Sequence, residues 1–159
     1  MNDTSAFASR RTPAWTRARP PAAARLFTVA AGATLAASGA VHAQLYLDGY
    51  RYLHAVGVLF LLQAAASFGL GALLLAGALL PPPALIHLAA AGTALGALAG
   101  FAASRTIGVF GFIEHGLQPA PQALISIVTE CATVLALLAA GYLTVRHRQA
   151  PVSRPTSLS

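Results

Sequence analysis

Four stretches of the chain run through apolar residues with almost no charge: Leu26 to Leu47, Leu53 to Leu80, Leu85 to Ala103 and Leu124 to Val145. The first three contain His42, His54 and His87 but no acid or arginine, and the fourth contains one acid, Glu130. About 20 mainly apolar residues suffice for a helix to cross the roughly 30 Å hydrocarbon layer of a bilayer. Each stretch reaches that length. Hydrocarbon offers no water to backbone N–H and C=O groups, so a spanning segment must satisfy them internally, and the stretches lack the alternation of barrel strands. The pattern therefore predicts an all-α fold, a four-helix transmembrane bundle with spans over 26–47, 53–80, 85–103 and 124–145. Residues 1–25, rich in Arg, Pro and Ala, and the tail 146–159 show no apolar periodicity and are expected to be disordered arms.

Composition agrees with this reading. The 159 residues are 57% hydrophobic and 9% charged, where soluble domains are about 45–50% apolar and about 25% charged. A water-soluble globule is excluded. All ten basic residues are arginine, against four acids, which gives the net charge of +6. Arg10, Arg11, Arg17, Arg19 and Arg25 precede the first span, and Arg146, Arg148 and Arg154 follow the fourth; only Arg51 and Arg105 lie between. Cytoplasmic flanks carry such an excess, so both termini are expected to be cytoplasmic in a bacterial plasma membrane. The Asp48–Arg51 turn and the Ser104–Gln122 segment would then lie outside. This arrangement accounts for the positive charge as topology and leaves no need for a nucleic-acid partner; the partner is the lipid bilayer. The basic leader, the apolar run and Val41-His42-Ala43 also admit a competing reading, a secretory signal cleaved before Gln44. The run continues past that point, which favours an uncleaved helix. Cys131, the lone cysteine, has no intramolecular partner for a disulfide.

Helices in lipid associate by close packing, which small residues at four-residue spacing permit. Gly92, Gly96 and Gly100 form such a series in the third span and are expected to pack helices together, within one chain or between copies in a homo-oligomer. Gln63, Ser67 and Gly71 share a stripe of the second span, where the amide is expected to hydrogen-bond across helices.

The polar side chains gather at one depth. His42 and His54 are equidistant from a turn centred near Asp48, Arg105 closes the third span on the same side, and Glu130 lies about six residues into the fourth, on the order of 9 Å deep. An ionisable group in the apolar layer is expensive and normally faces the bundle with a partner. A structural polar cluster of His42, His54, Arg105 and Glu130 is expected, with Glu130 paired to Arg105 or a histidine. The segment 104–122, with Ile107, Val109, Phe110, Phe112 and Ile113 around Gly108 and Gly111, is expected to lie in the interface or to cover the end of the bundle.

These residue types also define the alternatives. His42, His54, His115, Glu114 and Glu130 are suitable transition-metal ligands, and His42 with His54 could ligate haem. No H-E-x-x-H, C-x-x-C, G-x-S-x-G or Walker loop occurs. The expectation is a non-enzymatic membrane protein without a cofactor. The alternatives are a small redox or cofactor-binding subunit (haem, metal or quinone) and an accessory subunit of a transport or signalling complex. The stretch Gly39-Ala40-Val41-His42, then Gly57-Val58-Leu59-Phe60 with Gln63, then Ser104-Arg105-Thr106-Ile107-Gly108, then Glu130 resembles uncharacterised small four-helix membrane proteins of high-GC bacteria, and more distantly the DoxX-type proteins. Val109 stands where the former carry proline. The resemblance covers about residues 26–145; it implies the architecture and a bacterial origin and assigns no activity.

Overall fold

Proline marks three of the four helix starts. Pro21, Pro83 and Pro121 stand immediately before helices that begin at Ala22, Ala84 and Gln122; a missing N–H there breaks no intrahelical bond. The computed structural model describes residues 19–150. Among them are α1 (Ala22–Asp48), α2 (His54–Ala76), α3 (Ala84–Thr106) and α4 (Gln122–Gln149), with a short 3₁₀ turn at Tyr50–Tyr52 between the first two. At 1.5 Å per residue the long helices measure about 35–42 Å, and each is long and apolar enough to cross a membrane. Exposed leucines such as Leu62, Leu73, Leu135 and Leu138 cover the outside of the bundle, a surface suited to hydrocarbon rather than water. The four helices make the chain a multi-pass membrane protein, helical throughout its spans.

Helix bounds shift from the apolar runs where backbone chemistry intervenes. The first helix starts at Ala22, so Arg25 belongs to it rather than to the arm. The second ends at Ala76, because the Gly77 N–H turns back to the Leu74 carbonyl ahead of Pro81-Pro82-Pro83. The fourth continues to Gln149, placing Arg146, His147 and Arg148 in its last turn, where cations meet the carbonyl end of the helix dipole. The predicted disorder of 1–18 and 151–159 falls outside the described residues.

α1 is the centre of the bundle, with ten buried residues against three in α3. Its contact with α2 is a backbone approach: a Cβ on Gly32 would lie 2.9 Å from the Gly71 carbonyl oxygen, and one on Gly71 would lie 3.0 Å from that of Gly32. Ala31, Leu35, Leu74, Ala90 and Leu137 meet beside it, so all four helices contribute to one apolar core. α3 joins at that level through Ala90 and Ala94 and is buried again only at Ser104. Between those points lie two members of its glycine series, and the expectation that the series packs helices fails within the chain. A Cβ on Gly92, Gly96 or Gly100 would meet no atom within 4 Å.

Both long-range connections near residues 50 and 110 lie at the same end of the bundle. The Tyr50–Tyr52 turn sits on the start of α2, where Gly57 is required: a Cβ there would come within 2.6 Å of the Tyr50 carbonyl oxygen. In the segment after α3, Val109 and Phe112 exchange two backbone hydrogen bonds of 2.9 Å around Phe110 and Gly111. Both central residues have positive φ, 50° and 79°, the backbone of a tight two-residue turn in which glycine is favoured.

Candidate functional site

The loop-covered end holds a cavity of about 340 Å³ between α3 and the rest of the bundle. Its size follows from the glycines: Gly96 and Gly100 line it and have no side chain to fill it. Leu59, Phe60, Ala97 and Phe101 give it apolar walls. Gln63 closes its lower edge, donating through Nε2 to the Thr93 carbonyl of α3 at 3.2 Å, the expected bond between helices.

Two polar groupings border the cavity. The first is buried and joins α1 to α4. Glu130, 1% exposed, accepts hydrogen bonds from Ser126 Oγ at 2.8 Å and Ser38 Oγ at 3.1 Å. Ser126 lies one turn before Glu130 on its own helix, so the α4 half of this contact is local. His42, 9% exposed, donates from Nδ1 to the Ser38 carbonyl at 2.9 Å, and its Nε2 lies 3.8 Å from Glu130 Oε1. Thr34 and Thr133 share a 2.7 Å hydrogen bond one to two turns along the same seam. Every buried side-chain nitrogen and oxygen among the described residues has a partner, as the cost of an unpaired polar group in an apolar layer demands.

The second grouping lies under the 107–121 segment. Arg105 pairs with Glu114 at 2.9 Å. Its remaining donors reach Ser104 Oγ, the Gly116 carbonyl at 3.1 Å and the Gln118 carbonyl. The Glu114 N–H returns to the Ser104 carbonyl at 2.9 Å, and Glu114 Oε1 accepts a hydrogen bond from the Tyr50 hydroxyl. Arg105 is also stacked over Phe101, 3.8 Å from the ring centroid. The guanidinium thus pins the segment to the end of α3, and Val109, Phe112, Glu114 and Pro119 become the cavity's cover. Tyr50 stacks on Phe60 at 4.4 Å between centroids and meets Phe112 edge-on at 5.8 Å. Burial first, and then the Glu114 hydrogen bond and charge, push the Tyr50 hydroxyl above the usual phenol range, with Arg105 opposing.

The expected four-residue cluster is therefore two separate groupings. His42 and Glu130 come together; Arg105 does not join them, because Glu114 in the following segment is the nearer acid and holds it. His54 is exposed at the first turn of α2, because the 3₁₀ turn displaces it from the facing position that a simple hairpin would produce. His115 is exposed beside Glu114. Among the described residues no three His, Cys, Asp or Glu side chains gather in a group that could hold a metal ion. Sequence reasoning missed Tyr50 as a site residue. Its signal was faint, one of two tyrosines in a three-residue turn. The chain matches no family model, no curated protein and no solved structure.

Proposed function

We propose that this chain is a non-enzymatic protein of the bacterial plasma membrane that binds a small amphipathic molecule in the cavity beneath its 107–121 segment. The observation that carries the reading is the polarised lining of that cavity. Apolar side chains and two glycines form its lower walls, while Tyr50, His42, Ser126 and the Arg105–Glu114 pair form a polar rim at its upper end, beneath the apolar Val109, Phe112 and Pro119 of the cover. Small-molecule sites have this composition, largely apolar with a few placed polar groups, and occupy about 300–1,000 Å³. The polar groups are engaged with one another, which suits a wall that orients a ligand better than a set of reacting groups. His42 and His54, the expected haem pair, are separated by burial on one side and exposure on the other, which disfavours the cofactor reading. The arginine distribution supports placing both termini in the cytoplasm and the cavity at the opposite face.

The test is native mass spectrometry of delipidated protein in mild detergent, titrated with 1-decanol. The wild type is expected to retain one decanol per chain, saturably. Gly96→Leu is expected to retain none, because its side chain enters the empty space of the cavity. A wild type with no saturable retention, or a Gly96→Leu chain that retains decanol equally well, overturns the reading.

A further inference from the structure

The cavity's walls are unequal. On the α1 and α4 sides its lining is buried: His42, Leu45, Ala123 and Ser126. On the α2 and α3 sides Val56 and Ser104 are buried as well, but Leu59 is 45% exposed, and Gly96 and Gly100 are exposed. The cavity therefore reaches the surface through the seam between α2 and α3. The Gln63–Thr93 bond closes that seam below and the Arg105-pinned segment closes it above. From Gly96 to Gly100 is one helical turn, about 6 Å. This seam lies within the apolar length of both helices, so its opening faces lipid.

The polar rim is specific in charge and in hydrogen-bonding sense. Its two charged side chains neutralise each other at 2.9 Å, and Arg105 Nε, Nη1 and Nη2 are all engaged. An anionic head would have to displace Glu114 from a charge-assisted bond. The donors of the rim are also spent internally. The Tyr50 hydroxyl donates to Glu114, the Ser126 hydroxyl to Glu130 and His42 Nδ1–H to the Ser38 carbonyl, and at the lower edge the Gln63 amide donates to the Thr93 carbonyl. What these side chains still offer is lone pairs, on Tyr50 Oη, Ser126 Oγ and Gln63 Oε1. A ligand that satisfies such a rim brings hydrogen-bond donors, and the uncharged donor of a simple amphiphile is a hydroxyl.

Resting on the cavity-binding reading above, we infer that the ligand is a neutral, hydroxyl-bearing, single-chain amphiphile whose head sits under Tyr50 and whose tail leaves into the bilayer between α2 and α3. Size supports the second half of this statement. About 340 Å³ is at the lower end of small-molecule sites, room for a head and a few carbons, so a longer chain must pass out through the glycine-bordered seam. The glycines of α3 keep that passage open.

The experiment uses the full chain in nanodiscs and a monoolein analogue with a diazirine at mid-chain, photolysed and mapped by peptide mass spectrometry. Saturable adducts are expected on residues 59–63 and 95–101. Unlabelled monoolein is expected to compete about tenfold more tightly than methyl oleate, which lacks a donor, the equivalent of one or two hydrogen bonds. Oleate, which is anionic, and glycerol, which has no tail, are expected to compete at least tenfold more weakly than monoolein. Equal competition by methyl oleate, oleate or glycerol overturns the hydroxyl, charge or tail assignment respectively while leaving the cavity reading standing. Saturable adducts confined to α1 and α4 overturn the seam. Absence of any saturable labelling overturns this inference, and absence of decanol retention besides overturns the cavity reading itself.

Discussion

The bundle has a tight side and an open side, and both are made with glycine. Where α1 crosses α2, Gly32 and Gly71 bring two backbones so close that a single Cβ would collide with a carbonyl oxygen. Where α3 passes the same bundle, a Cβ on Gly96 or Gly100 would meet no neighbouring helix within 4 Å, and both residues line a cavity. The same residue type at helical spacing thus serves opposite ends. What decides is the rest of the contact. Around Gly32, the partner helix presents another glycine and the chain can close the gap. α3 is pinned at Ala90 and Ala94 on one side and at Ser104 and Arg105 on the other, so its middle cannot approach.

This contrast breaks most clearly at the tight side. Gly71→Leu places a side chain against the Gly32 carbonyl, which cannot yield as a flexible side chain would. The expected loss is about 1–3 kcal/mol or more, the cost of overpacking a filled site, read as a lower unfolding temperature in detergent and loss of the monodisperse peak. Gly57→Ala, with its Cβ at 2.6 Å from the Tyr50 carbonyl, is expected to cost a similar amount while also disturbing the cover of the cavity. A stability equal to wild type for both would remove the argument for close backbone approach.

A smaller effect is expected for Ser38→Ala, which removes one of the two donors to Glu130 across the α1–α4 seam. Interhelical hydrogen bonds in membranes are worth about 0.6 kcal/mol on average and about 1.7 at most, and an unfolding series in mild denaturant resolves that range. Gly96→Leu, on the open side, is expected to change stability by no more than about 0.5 kcal/mol, as for sites away from packed features, while abolishing decanol retention. A destabilisation comparable to that of Gly71→Leu would show that the two glycine sites are alike after all.

The smallest effect is titrimetric. Tyr50 is held protonated by burial and by its hydrogen bond to Glu114, so its folded-state pKa exceeds the unfolded value near 10. The associated stability is fully present below about pH 10 and is lost as pH rises toward the higher folded value. Absorbance near 295 nm is expected to show a late tyrosine ionisation that Tyr50→Phe removes.

Much of the architecture is legible in the apolar runs, since a bilayer-length stretch without charge leaves the backbone only one economical way to satisfy itself. The depth of Glu130 is also legible in the sequence: a carboxyl about six residues into a span must find polar company. Ser126, one turn earlier on the same helix, is part of that company. The assignment of Arg105 was not legible. It depended on how the 107–121 segment folds back, and a segment with several glycines and prolines has too many conformations for spacing to choose among them. His54 was misplaced for a related reason, because a single 3₁₀ turn between α1 and α2 rotates the start of the second helix.

Four membrane-length helices and an uneven distribution of arginine are already written in the residues, because hydrophobic length and charge act locally and need no partner. The tertiary structure alone decided which small residues close a contact and which leave a hole, and which acid Arg105 meets. Those outcomes depend on the distances between helices, and a distance between helices is set by every residue in the interface at once.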